Sequence, residues 1–247
     1  MDGQPHHSPW QRRVVDRSLA KAAQKSVDRA SELIFAAATL LESRKGDSFT
    51  VQDVADTSGQ SLRTLYAHFG SKDDLLLAVL EEANQAHARL LGEAVNRYRD
   101  PVQRLTAAIY FTFRFQERAT VGIALGLARL SIKLVSEAPE QLAAAAAPVT
   151  TLFLNLVEEA SSAGAIKTGD PSATTHIVYS IVEAMGRSRM LGNEFQLAMP
   201  DIRQLVLFVM TGLHAELADD WEAPLRKHWD KMPTGFSVAT DLRPLDA

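Results

Sequence analysis

The chain has 247 residues, of which 46% are hydrophobic and 23% are charged, and its formal net charge at pH 7 is −4. This is the composition of a folded protein with one large or two small domains, and it excludes nucleic-acid binding through bulk positive charge. The lack of cysteine excludes disulfides and thiolate metal sites. The polar start of the chain has no signal-peptide pattern, and no apolar run is long enough to span a membrane. We therefore expect a cytoplasmic protein without a membrane partner.

Helical spacing dominates the sequence, and the first helix is predicted around an apolar stripe from Val27 to Leu41. The helix can start well before Val27, because residues 14–26 contain no helix breaker. Basic residues outnumber acidic ones within residues 1–30. That excess is compatible with phosphate contact and equally with a solvated tail. Residues 1–25 are therefore predicted to be a basic arm or an extension of the first helix.

Capping residues predict a group of short helices after this one. Thr50 is a candidate N-cap, with Asp53 as its reciprocal partner, and the short helix that follows ends before Gly59. Ser61 and Ser71 are candidate N-caps of the next two helices. Two short helices joined by a turn containing glycine form the helix-turn-helix arrangement, whose second helix enters the DNA major groove.

The predicted second helix divides into faces at 100° per residue. Leu65 and Phe69 share the face that packs on the short helix before it, while other side chains point outward. The chemistry of those side chains suits base edges and phosphates, and small Ala67 permits close approach to the groove. Taken alone, the same side chains are equally compatible with an ordinary amphipathic surface. The outward candidates are Arg63, Thr64, Tyr66 and His68, with Lys72 at the start of the next helix.

The order of these motifs resembles the DNA-binding signature of TetR-family transcriptional regulators. The resemblance rests on the segments FTVQDVA, SGQS and TLYAHFGSKDDL, at residues 49–55, 58–61 and 64–75. It implies a homodimer that binds a palindromic operator on double-stranded DNA, usually as a repressor that a small-molecule effector releases. The DNA-contact positions that it implies are Thr50, Gln52, Leu62, Arg63, Thr64, Tyr66, Ala67, His68 and Lys72.

Two positions complicate the resemblance. Leu62 would contact bases together with Gln52 and Arg63, yet periodicity places it near the anchoring face, so that it could also be core. Gln60 stands where the family usually has a buried aliphatic residue in the turn. It is expected to point outward or to bond a free backbone group.

Longer helices are predicted beyond Pro101, at about 101–118, 120–136, 139–163, 171–191 and 201–219. Pro148 predicts a kink or a split in the third of these. The predicted fold is all-α, with an N-terminal three-helix helix-turn-helix domain linked by a long helix to a larger helical ligand-binding and dimerisation domain. The predicted divisions are an arm at 1–25, a DNA-binding domain at 26–80, the larger domain at 81–220 and a wrapping or loose tail at 221–247.

No catalytic or cofactor motif is found, so we predict no enzymatic activity, cofactor or metal site. An aromatic-rich helix with embedded arginines, over residues 109–118, can line an apolar pocket with a charged anchor, or it can simply be core. A hydrophobic or amphipathic effector follows from the first reading. The candidate ligand-binding residues are Tyr110, Phe113, Arg114, Phe153, His176, Tyr179 and Glu183.

Apolar stripes on the last two helices could be dimer surface or internal core. The main hypothesis is a ligand-responsive DNA-binding repressor. Two alternatives stay open at this point: a helical small-molecule carrier without DNA binding and, less favoured, a helical enzyme.

Overall fold

The computed structural model describes residues 8–43, 49–118, 121–192 and 197–232, and these residues form α-helices and no strands. The all-α prediction is therefore confirmed. The helices are α1 (Pro9–Ser43), α2 (Val51–Ser58), α3 (Leu62–His68), α4 (Lys72–Val95), α5 (Pro101–Arg118), α6 (Val121–Glu137), α7 (Pro139–Ser162), α8 (Pro171–Leu191), α9 (Ile202–Gly212) and α10 (Glu222–Trp229).

The start of each short helix is fixed by the predicted caps. Thr50 accepts a hydrogen bond from the Asp53 amide, and the Asp53 carboxylate accepts one from the Thr50 amide at 2.7 Å. Ser61 and Ser71 each accept from the amide three residues on. Gly59 closes α2 with a φ of 68°, a left-handed conformation that glycine adopts without a Cβ penalty. All of these caps confirm the sequence prediction.

Helix α4 connects two apolar cores. Its first half, including Leu75 and Val79, packs with α1 to α3 in the first core, to which α6 also contributes Leu127 and Leu130. Its second half, from Leu91 on, belongs to the second core, which α5, α7, α8, α9 and α10 complete. Helix α6 therefore contacts the amino-terminal helices as well as α7 and α8.

Helix α7 continues through Pro148, so the split that the sequence allowed there does not occur. By length and composition, α7 is the one helix of the described residues that could cross a membrane. In this fold it packs against α4, α5, α6 and α8.

Helix α9 is shorter than predicted. It ends at Gly212, whereas the sequence analysis extended it to residue 219. The chain leaves the helix because His214 adopts a φ of 53° and the Ala215 amide bonds the carbonyl of Met210. The Leu213 carbonyl then accepts from the Lys167 amide at 2.8 Å, which holds this end against the loop before α8.

The described part of the tail wraps the body. Helix α10 packs on α5 and buries Trp221, Leu225 and Trp229. The Trp229 ring lies 5.3 Å from that of Phe115, and the His87 ring of α4 lies 5.5 Å from the same Phe115 ring. Of the two predictions for the tail, wrapping is thus the correct one up to residue 232, and residues 233–247 lie outside the described residues.

His87 is a titratable group inside this aromatic contact. Its Nε2 atom is buried and has no hydrogen-bond partner within the described ranges. Burial lowers the pKa of His87 to about 4, because the charged imidazolium loses its hydration there. The unfolded chain binds this proton near pH 6.5, so the stability that neutral His87 contributes is complete above pH 6.5 and is lost as the pH falls towards 4.

Replacing His87 with glutamine should reduce the acid sensitivity of folding. Between pH 7 and pH 5, the free energy of unfolding of the wild type should fall by about 1–2 kcal/mol more than that of His87→Gln, as measured by urea unfolding at both pH values. His176→Gln, at an exposed position on the same fold, should behave like the wild type. Equal pH dependence in wild type and His87→Gln would contradict a neutral, buried His87.

Candidate DNA-binding surface and effector site

The second short helix is anchored by one face and exposed on the others. Leu65 is 0% exposed and packs in the first core, and Phe69 packs against that core from the end of α3. Arg63, Tyr66 and Ala67 are exposed. The division into faces predicted from periodicity is present, and the exposed face offers a guanidinium, a phenol and a small residue that a groove can approach.

Leu62 is half-buried. It is not among the partly buried apolar side chains packed against the first core, within the described part of the chain. Leu62 is therefore not part of the first core in the described structure, and its contact with DNA stays a prediction.

Several predicted contact residues already have partners in the free protein. The hydroxyl of Thr64 is 2.9 Å from that of Ser61, and the Gln52 amide donates to Asp56 at 2.7 Å. Thr50 is exposed and belongs to the cap of α2, and His68 is half-buried beside Phe69. These contacts are local and hold the side chains at the ends of α2 and α3.

Lys72 has a structural role that the sequence did not indicate. Its ammonium donates to the Phe49 carbonyl at 2.7 Å and lies 4.3 Å from the centre of the Phe49 ring. The lysine thus ties the start of α4 to the segment before α2. Phosphate contact by Lys72 stays a prediction, and it would have to share the ammonium with these contacts.

Gln60 joins the helix-turn-helix to α1. Its side-chain amide donates to the Glu32 carboxylate of α1. Gln60 is half-buried and its partner Glu32 is exposed, so the side chain points outward, as one of the two expectations stated, and bonds a carboxylate that neither expectation named. The contact holds the turn before α3 against α1 at the position of Glu32.

The predicted ligand-binding residues fall into two groups because α5 has two faces. Tyr110 and Arg114 lie on the face towards α10, where the Arg114 guanidinium is 5.3 Å from the Trp229 ring centre. His176 is exposed on α8. Three of the remaining predicted residues meet where α7 and α8 pack together beside α5, and we call them the α5–α8 cluster: Phe153, Tyr179 and Glu183. Phe113 is buried on α5, and its ring centre lies 5.0 Å from the Arg189 guanidinium of α8.

Two polar residues of α5 join the α5–α8 cluster. The Gln116 amide donates to Glu183 at 3.0 Å, while the Gln116 Oε1 atom and the Thr112 hydroxyl are buried without a partner in the part of the chain that the structure describes. Gln116 fits there because a Cβ at Gly186 would lie 1.4 Å from its Oε1 atom. A glycine within a predicted helix is the sequence signal that could have indicated this close approach.

Burial shapes the electrostatics of the α5–α8 cluster. It raises the pKa of Glu183, against the opposing effects of the Arg187 charge and of hydrogen bonds from Tyr179 and Gln116. It also raises the pKa of Tyr179 well above its ordinary value, helped by the adjacent Glu183. Glu183 is thus a buried carboxyl group that accepts hydrogen bonds from Tyr179 and Gln116 in an apolar setting.

A separate apolar groove of about 730 Å³ lies between α8 and α9. Ile177 and Phe208 line it and are 59% and 71% exposed. Ile181 also lines it, and Lys167 lies at its polar margin. So much apolar surface on two adjacent helices is characteristic of an interaction face.

Comparison with known proteins identifies the amino-terminal helices. Residues 33–79 match the model of the family described as bacterial regulatory proteins, tetR family. The chain is 33% identical to the HTH-type transcriptional activator FasR of Mycolicibacterium smegmatis over 98 residues, which is 40% of this chain and 45% of FasR. It is 54% identical over 39 residues to YvaF, an HTH-type transcriptional regulator of Bacillus subtilis, covering 16% of this chain and 20% of YvaF. The chain thus spans less than half the length of either relative.

Solved structures extend the likeness of fold to most of the chain. RolR in complex with resorcinol aligns with a TM-score of 0.62 at 16% identity, covering 91% of this chain and 98% of RolR. FadR of Bacillus subtilis in complex with stearoyl-CoA aligns with a TM-score of 0.55 at 16% identity, covering 74% and 95%. A TetR-family regulator from Rhodococcus sp. aligns at 0.58 with 23% identity, covering 76% and 100%. Residues 33–79 therefore match the DNA-binding domain of the tetR family of bacterial regulatory proteins, and the described residues share the all-α fold of these solved structures.

Proposed function

We propose that this protein is a dimeric, cytoplasmic repressor that binds a palindromic operator through α3 and is released by a small molecule bound at the α5–α8 cluster. One observation supports this most directly: the exposed face of α3 combines Arg63, Tyr66 and Ala67 on a helix that Leu65 holds in the core. The family consists of regulators and not of enzymes, and a carrier without DNA binding would leave the match over residues 33–79 unexplained.

The proposed release mechanism uses α6. This helix contributes to the first core and also contacts α7 and α8, so a shift at the α5–α8 cluster can reach α1 and α4. Lys133 of α6 pairs with Asp73 at the start of α4. A ligand that favours one packing of α8 against α6 would bias the position of the two recognition helices, which is a population shift.

The proposed effector is a compact, largely apolar molecule that carries a hydroxyl group. Gln116 Oε1 needs a donor, and Glu183 accepts hydrogen bonds beside the rings of Phe153 and Tyr179. RolR, which shares this fold, holds resorcinol, a ring with two hydroxyls. That fold therefore accommodates a ligand of this class, and FadR with stearoyl-CoA represents the competing class of acyl ligands.

The proposed dimer packs α8 and α9 of one protomer on the same helices of another. The groove face is apolar, its exposed Phe208 would be buried by the partner, and a twofold arrangement supplies the two α3 helices that a palindrome needs.

Arg63→Ala should lower both affinity and sequence preference on the genomic duplexes that the wild type retains. A bidentate guanine contact contributes about 1–3 kcal/mol, so binding should weaken by one to two orders of magnitude. Fluorescence anisotropy on operator and scrambled duplexes measures both quantities. Arg89→Ala, at an exposed position on α4, is the control and should leave binding unchanged. Undiminished discrimination by Arg63→Ala would remove Arg63 from the base-contacting residues.

Glu183→Gln should weaken effector binding and leave operator affinity intact. The substitution replaces one acceptor oxygen by an NH2 donor, and loss of a hydrogen bond to that oxygen should cost about 1 kcal/mol or more, seen as a smaller thermal shift with hydroxylated aromatic compounds. Glu158→Gln on α7 is a control with the same change of charge outside the cluster. A protein whose stability responds only to long-chain acyl compounds would contradict the proposed ligand class.

Phe208→Glu should convert the dimer to a monomer, because each interface would gain two charges in a desolvated groove. Sedimentation equilibrium should show half the wild-type mass, and binding to a two-half-site duplex should weaken strongly. Val135→Glu, which changes an exposed apolar residue outside the groove, should remain dimeric. A dimeric Phe208→Glu would place the interface elsewhere.

A further inference from the structure

The first helix continues far beyond the domain to which it belongs. Its first fully buried apolar residue is Leu33, whereas α1 begins at Pro9. Every side chain from Arg13 to Arg29 is exposed. The protruding part is about 30 Å long at 1.5 Å per residue. An isolated helix of this length is marginal in water, so contact with a partner would stabilise it.

A row of basic side chains winds gradually around this protrusion, because each step of four residues advances by about 40° around the helix axis. Its members recur at every fourth residue, about 6 Å apart along the axis, and have no ion-pair or hydrogen-bond partner among the described residues. Like charges four residues apart repel each other and weaken a helix, which a polyanion bound along the row would reverse. The row, called the basic row below, is Arg13, Arg17, Lys21, Lys25 and Arg29.

The basic row leads to the start of the recognition helix. Glu32 accepts the hydrogen bond of Gln60, the residue just before the Ser61 cap of α3. Lys25 and Lys21 precede Glu32 by seven and eleven residues, which places them about two and three turns along the same face of α1. The basic row therefore extends from the side of α1 that contacts the helix-turn-helix.

We propose that the basic row binds the phosphates of DNA beside the segment that α3 contacts, and so lengthens the site on each side of the operator. This inference rests on the proposed DNA-binding function. A row of cations complements a phosphate backbone and supplies affinity without sequence preference. A membrane surface fits less well, because it requires one apolar face. The exposed apolar residues of the protrusion do not share a face. Val15 and Leu19 lie opposite the basic row, whereas Trp10 and Val14 lie on the same side of the helix as the row.

The test compares two variants that lose the same charge. One carries Arg17→Gln, Lys21→Gln and Lys25→Gln. The control carries Arg226→Gln, Lys227→Gln and Lys231→Gln, at exposed positions on α10 and just after it. Glutamine has nearly the helix propensity of lysine and arginine, so α1 should remain helical, which circular dichroism checks.

Affinity is measured at several salt concentrations on two duplexes. One is trimmed to the segment that the α3 helices cover, and the other extends about 10 base pairs further on each side, since a helix of about 30 Å covers that length at 3.4 Å per base pair. On the long duplex, the basic-row variant should lower the slope of log K against log [salt] by about 2 to 3, at about 0.9 per lost phosphate contact. On the trimmed duplex, the basic-row variant should have the same salt slope as the wild type. The control variant should have the wild-type slope on both duplexes.

Three results would overturn the inference. The first is an unchanged salt slope of the basic-row variant on the long duplex. The second is the same unchanged slope in an experiment where the wild type binds phosphatidylglycerol vesicles and the basic-row variant does not, which would assign the row to a membrane. The third is failure of the wild type to bind any duplex, which would remove the proposed function as well. If the wild type binds the trimmed duplex but the basic-row variant has an unchanged salt slope on the long duplex, only this inference fails and the proposed function stands.

Discussion

Burial of Leu65 is the interaction on which the DNA-binding surface depends. Helix α3 has seven residues and would not persist alone in water. Leu65 is fully buried in the first core, with Phe69 packed behind it and Ser61 capping the start. Once this face is fixed, the helical period decides where every other side chain of α3 points. Arg63, Tyr66 and Ala67 are exposed for that reason.

The same logic applies to α5 at the centre of the larger core. One face carries Phe113 and Gln116 towards α7 and α8, and the other carries Tyr110 and Arg114 towards α10. Helix α10 closes one side of α5 with aromatic packing, and on the opposite side, towards α8, the Gln116 Oε1 atom is buried without a hydrogen-bond partner among the described residues. The effector hypothesis follows from this division, because unpartnered acceptors in an apolar setting are costly unless a ligand or water bonds them.

Local chemistry was predictable from the sequence, and long-range partners were not. The caps Thr50, Ser61 and Ser71 could be identified because each bonds an amide only three residues away. The pairing of Gln60 with Glu32 joins residues 28 apart, and the pairing of Lys72 with Phe49 joins residues 23 apart. Such pairs depend on how helices pack, which periodicity within one helix does not specify.

The same limit explains the errors at the carboxyl-terminal helices. A left-handed His214 gives no sequence signal, so α9 was predicted to run past Gly212. The aromatic pattern of residues 109–118 did not separate the two faces of α5, because a buried helix is apolar on several sides. His176 was among the candidate ligand-binding residues, and it is exposed.

Selection of bound sequences from a pool of randomised duplex DNA tests the central claim most directly. Two α3 helices, each held by a buried Leu65 and related by a twofold axis, predict an enriched motif of two inverted half-sites centred about one helical turn or a small multiple of it apart. Enrichment of a single asymmetric site, or no enrichment at all, would contradict the account.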